Sequence, residues 1–141
     1  MHYLTRRETF NAAHKLSNAE WSEERNREVF GKCANHNWHG HNYDLRVTVS
    51  GVPDPVTGFV MDAKVLSTIV KREVVDRLDH SNLNLDIDWF EGIQPTTENL
   101  TLKIWQHLET AISEAGSTLY RVRLYETENI YADYYGPAGR P

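Results

Sequence analysis

The stretch "HGHNYDLRVTVS", residues 39–50, alternates with a strict two-residue period. Tyr43, Leu45, Val47 and Val49 fall on one face, and Asp44, Arg46, Thr48 and Ser50 on the other. Successive side chains of a strand point to opposite sides, so this is a half-buried strand with one core face. Upstream, residues 3–13 read as a first strand, with Phe10, Ala12 and His14 on a common face. Residues 18–30 are polar and read as a loop or a short helix. Downstream, "GVPDPVTG" (51–58) holds turn residues throughout, and residues 59–61 are expected to return as the hairpin partner.

Residues 63–78 carry Leu66, Val70, Val74 and Leu78 at four-residue spacing, the stripe of an amphipathic helix. An irregular connector follows. A second helix covers 97–115, with Leu100, Ile104, Leu108 and Ala111 on one face. Thr96 or Thr97 serves as its N-cap and Gly116 as its stop. "LYRVRLYE" (119–126) and residues 129–135 read as two further strands. The order strand, strand, helix, helix, strand, strand predicts an α+β fold, an antiparallel four-stranded sheet with both helices on one face. Two sheet edges stay open, and self-association through them is expected.

The chain has 141 residues, which suits one domain over 1–141, with "GPAGRP" (136–141) expected to be a loose tail. Its net charge of -5 argues against general binding to nucleic acid or anionic membranes, although not against a small anionic substrate. There is no apolar run near 18 residues, and "MHYLTRRETF" lacks the apolar core of a signal peptide. Cys33 is the only cysteine, so no internal disulfide can form. A cytoplasmic location is expected, with a thiol free for chemistry.

That thiol opens the segment "CANHNWHGHNY" (33–43). His39 and His41 stand two apart at the start of the alternating strand, so both imidazoles leave on the apolar side. Gly40 between them removes bulk from the opposite face. Two histidines at the end of an apolar face are costly unless paired or metallated. His14 comes alongside if the first two strands pair antiparallel. Three imidazoles with one open position match a catalytic zinc; Cys33 as a fourth ligand would instead close a structural site. His36 sits in a loop without a parity argument, and His2 and His107 read as surface residues.

Beside a metal and a basic group, the Cys33 thiol would have a lowered pKa and could act as a base or nucleophile. Asp79 and His80, in "LDHSNL", form an acid–imidazole pair of the kind that supports proton transfer. Taken alone, the dipeptide reads as a turn residue beside a surface histidine. Glu126 ends an apolar strip of Tyr120, Val122 and Leu124. A carboxylate there is paired or functional, unless the strand frays and leaves it solvated like Glu128.

Six motifs in order, "FNAAH" (10–14), "FGKCANHNWHGHNY" (30–43), "DPVTGFVMD" (54–62), "LDHSNL" (78–83), "PTTEN" (95–99) and "LYETEN" (124–129), carry a family likeness. Over about residues 8–136 the chain resembles the 6-pyruvoyltetrahydropterin synthases and their relatives, the 6-carboxytetrahydropterin synthases of the queuosine pathway. The resemblance implies the tunnelling fold and barrels built from joined sheets, commonly two stacked trimers with active sites at subunit interfaces. It implies that His14, His39 and His41 bind zinc, that Cys33 is the base beside the metal, and that Asp79 and His80 assist proton transfer. It implies that Glu126 anchors a pterin ring, with Thr96 and Thr97 lining the pocket.

The implied substrate is 7,8-dihydroneopterin triphosphate. Its side chain is oxidised internally while the ring is reduced, and triphosphate leaves, so no redox cofactor is required. The five-residue spacer "ANHNW" between Cys33 and His39 resembles the pyruvoyl-forming branch. Trp38 departs from the small residue expected before the "HGH" motif and would narrow the pocket mouth. Lys15, Lys32 and Arg25 are the candidate triphosphate ligands.

Overall fold

The computed structural model describes residues 1–140. Strands β1 (His2–His14) and β2 (His39–Gly51) pair antiparallel over their full length, from His2 opposite Gly51 to His14 opposite His39. The other edge of β2 takes β4 (Thr118–Thr127), with an irregularity at Thr48/Val49, and β5 (Ile130–Tyr134) pairs with β4. Between β1 and β2 the chain forms helix α1 (Glu23–Phe30) and a tight 3-10 turn, Gly31–Ala34. Ser22 caps α1, accepting from the Arg25 N–H.

Three expectations need correction. Residues 59–61 do not form a strand. Both edges of β2 are already taken, and the Asp54 carboxylate closes the loop by accepting from the Val56 and Thr57 N–H groups. The sheet has five strands rather than four, in the order β3-β1-β2-β4-β5. The extra one, β3 (Ser81–Asn82), lies parallel to Ala12–Ala13 at the edge of β1. The helix expected over 63–78 comes in pieces, α2 (Ala63–Val70), a wide π turn at Lys71–Val75 and α3 (Asp76–Leu78). Helix α4 (Thr97–Glu114) is capped by Thr96, whose hydroxyl accepts from the Asn99 N–H.

One face of the sheet carries the core. Phe10, Tyr43, Leu45, Val47, Val122 and Leu124 pack against Leu66, Val70, Ile104 and Leu108 from the helices. The opposite face is polar, with Arg7 and Arg46 on Asp44 and Arg123 forked onto Asp133. One acid enters the core side near α2: Glu8 accepts from the Ser67 hydroxyl and from Arg6. Burial alone would raise the Glu8 carboxyl, but these hydrogen bonds outweigh it and hold it below the usual range. The stretch read as a loose tail begins packed. Gly136 is buried with a positive φ of 85°, and a Cβ there would meet the Trp105 ring at 2.6 Å. Pro141 lies outside the described residues. No helix among them is long and apolar enough to cross a membrane.

Candidate active site

The register of β1 against β2 places His14 opposite His39 and Ala12 opposite His41. All three imidazoles therefore emerge at one end of the core face, with ligand atoms within 4.8 Å of one another. His14 is buried, and its Nδ1 lies 2.8 Å from the Pro95 carbonyl. The carbonyl can only accept, so Nδ1 carries the proton and a neutral ring presents a lone pair at Nε2. That nitrogen lies 3.2 Å from Nε2 of His41. Nδ1 of His39 is buried with no hydrogen-bond partner.

Burial pushes all three histidines below their ordinary pKa. Mutual repulsion adds to it, while Glu126 pulls the other way. Neutral, converging imidazoles with an unpaired buried nitrogen fit a divalent metal of zinc's chemistry. Cys33 stands outside this set. A closed centre of one cysteine and three histidines is therefore not what the geometry builds.

Close packing at Gly40 brings the two histidine-bearing strands together. A Cβ at this position would lie 2.9 Å from the Ala12 carbonyl oxygen and 3.4 Å from the Ala13 Cα. Both are backbone atoms, which cannot swing aside. Gly40→Ala is expected to destabilise the fold by about 1–3 kcal/mol, the usual cost of overpacking. It should also weaken metal binding, because β1 and β2 must part where His14, His39 and His41 meet. Thermal unfolding with and without metal checks this; a variant equal to the parent in both would refute it.

On the neighbouring strand, Glu126 extends toward the histidines. Its Oε1 is 3.5 Å from Nε2 of His41, and its Oε2 accepts from the Thr97 hydroxyl at 2.5 Å. Thr97 is buried at the first turn of α4, whereas Thr96 is occupied in capping. Cys33 is half-buried in the 3-10 turn. Its carbonyl accepts from the Leu16 N–H at 2.9 Å, which tethers the thiol-bearing turn two residues past His14.

Sequence reasoning missed Tyr43. Its ring lies 5.6 Å from that of His41, its hydroxyl is buried without a partner, and burial and then the charge of Glu126 push its pKa up. Its position two residues past His41 on the same face was the available signal. It missed the Pro95 carbonyl too, which carries no side-chain signature. Trp38 adopts φ 68°, unusual for a bulky residue, and its ring lies beneath the Lys15 ammonium at 5.0 Å.

Asp79 and His80 are not brought to this centre. His80 Nδ1 lies 2.9 Å from Asp79 Oδ2, and Asp79 Oδ1 accepts from the Asn11 N–H. The His80 N–H donates to the Asn11 carbonyl at 2.6 Å, and its φ is 59°. The pair is thus aligned on the edge of β1 with the His80 ring exposed. No hydrogen bond or ion pair joins it to the histidines, Glu126 or Cys33 among the described residues.

The family description "6-pyruvoyl tetrahydropterin synthase" matches residues 3–137. A 6-pyruvoyl tetrahydrobiopterin synthase of Drosophila melanogaster is 41% identical over 135 residues, covering 96% of this chain and 80% of that protein. A 6-carboxy-5,6,7,8-tetrahydropterin synthase of Synechocystis is 33% identical over 139 residues, covering 94% of this chain and 92% of that protein. The solved structure of the Caenorhabditis elegans 6-pyruvoyl tetrahydropterin synthase superposes with a TM-score of 0.88 at 36% identity, over 96% of this chain and 95% of that one. With all five strands, but for His2, and every helix inside the matched span, the chain belongs to the 6-pyruvoyl tetrahydropterin synthase family.

Proposed function

We propose that this protein is a zinc-dependent lyase that converts 7,8-dihydroneopterin triphosphate to 6-pyruvoyltetrahydropterin and triphosphate. The observation that carries the reading is the convergence of three neutral imidazoles on one another, with the carboxylate of Glu126 beside His41. His14, His39 and His41 would hold the zinc, which supplies Lewis acidity toward the substrate's side-chain oxygens. Glu126, steadied by Thr97, accepts paired hydrogen bonds from the pterin amino group and ring N–H and so fixes the ring. The Cys33 thiolate takes a carbon-bound proton from the side chain. Electrons released there reduce the ring, and the triphosphate leaves with its bonding pair, so no outside oxidant or reductant enters.

Asp79 and His80 supply a proton relay. Their alignment on an exposed edge suits donation to the site of a neighbouring copy, and a homo-oligomer of two stacked trimers would place them so. A molecule that works only as a lone chain would leave this pair idle.

The higher identity to the pyruvoyl-forming relative favours the pyruvoyl product over the carboxy product. Incubating zinc-loaded protein with 7,8-dihydroneopterin triphosphate and identifying the products decides it. Triphosphate with 6-pyruvoyltetrahydropterin supports the reading. Acetaldehyde with 6-carboxytetrahydropterin makes the chain the other kind of synthase, and no release of triphosphate leaves only a zinc-stabilised pterin-binding module. Glu126→Ala should raise KM about 10–100-fold while zinc stays bound, as expected for losing hydrogen bonds to a charged group. Unchanged KM and kcat would remove Glu126 from the pocket.

A further inference from the structure

We propose that the cavity between residues 15–17 and the α1 hairpin is an anion site that takes the phosphate arm of the substrate. This rests on the reading above and extends it to a part of the substrate that Glu126 and the histidines do not reach. The cavity has a volume of about 150 Å³, and its lining includes Lys15, Ser17, Glu23, Arg27, Asn35 and His36. Pockets for drug-sized molecules run to roughly 300–1,000 Å³, so this one is too small for a bicyclic ring and suits a tetrahedral anionic group.

Its position follows from the chain. Lys15 comes directly after His14, and the Asn35–His36 wall lies two to three residues past Cys33. The Leu16–Cys33 backbone hydrogen bond joins the two walls. No residue of α4 or β4 lines the cavity. A substrate with its ring on Glu126 and its side chain passing the histidines therefore brings its phosphates to this end last.

The charge balance points the same way. Most arginines of the chain are paired: Arg6, Arg7, Arg25, Arg46, Arg72, Arg121 and Arg123 each have a carboxylate within ion-pair distance. Among the described residues, Arg27, Arg77, Arg140 and the lysines have none, and of these Lys15 and Arg27 line the same cavity. Trp38 holds the Lys15 ammonium in place, and the Arg27 guanidinium offers the fork geometry that matches phosphate oxygens. Glu23 is the one carboxylate of the lining. Of the cations singled out in the sequence, Arg25 is paired with Glu28 and Lys32 is not part of the lining, whereas Arg27 was not foreseen. Fixed cations at this place also stabilise the charge that collects on the triphosphate as its bond to carbon breaks.

Calorimetric titration of the zinc-loaded protein with inorganic triphosphate tests the site, alongside titration with 7,8-dihydroneopterin, which lacks the phosphates. The Lys15→Gln, Arg27→Gln double variant should bind inorganic triphosphate about 10–100-fold more weakly, and Glu23→Gln more tightly. All three proteins should bind 7,8-dihydroneopterin alike, which also shows that the variants are folded. The KM for the triphosphate substrate should rise in the double variant with the pterin product unchanged. Equal affinity of parent and double variant for inorganic triphosphate, or no binding to the parent, overturns the site. A parent that binds inorganic triphosphate in this pattern but never turns over the substrate overturns the proposed function and leaves the anion site standing.

Discussion

Cys33→Ala protein is expected to fold, keep its metal and lose about 10²–10⁴ of its kcat, the range a positioned general base contributes. The expectation rests on where the thiol sits. Cys33 lies outside the histidine set, so its removal would take no ligand from a metal held there. Its turn is held by backbone groups, through the Leu16 N–H and the tether of Asn35 to Lys32, and these survive truncation of the side chain. The thiol is only half-buried, so no large cavity forms. Metal content, thermal unfolding and turnover of 7,8-dihydroneopterin triphosphate measured on one preparation check this. Loss of metal together with unfolding would make Cys33 a ligand after all, and unimpaired turnover would assign the base elsewhere.

The second large effect is on the metal itself. His14→Ala should reduce zinc affinity by more than about 100-fold, since even the partners that merely orient a ligand are worth 10–100-fold. His14 is the most constrained of the three histidines, buried in the core and hydrogen-bonded to the Pro95 carbonyl. Its loss leaves that carbonyl without its imidazole partner, at about 1–3 kcal/mol for an unsatisfied buried group. Metal bound at 100 times its dissociation constant adds about 2.7 kcal/mol of stability, and that contribution goes too. The variant should therefore melt lower than the parent, and a chelator should lower the parent's melting temperature but barely move the variant's. A parent indifferent to chelation would show that the metal does not stabilise the fold.

Much of this site was legible because strands obey parity. The alternation of 39–50 placed His39 and His41 on the side of Tyr43 and Leu45, and an antiparallel partner brought His14 to them. What was illegible depended on which edges and backbone groups were already taken. Residues 59–61 have the composition of a returning strand, but β1 and β4 occupy both sides of β2. Ser81–Asn82 is too short to show any period, and it pairs only because the Asp79–His80 turn is fastened to Asn11. The π turn at Lys71–Val75 leaves the four-residue spacing of the flanking apolar positions intact, so the stripe gave no warning of it. Tyr43 read as core, which it is; that its hydroxyl is unpaired beside the histidines is a fact of three dimensions.

Three consecutive residues, Pro95 to Thr97, touch both halves of the centre. The Pro95 carbonyl orients His14, the Thr96 hydroxyl starts α4, and the Thr97 hydroxyl holds Glu126. In the proposed function, ring and ion would thus be gripped from a single helix start, and a shift of that segment would alter both grips at once. Linkage is reciprocal: by whatever factor an occupied pterin pocket changes the affinity for the ion, the ion changes the affinity for pterin. On that reading the cap of α4 would act as a mechanical coupler between the metal and the pterin pocket.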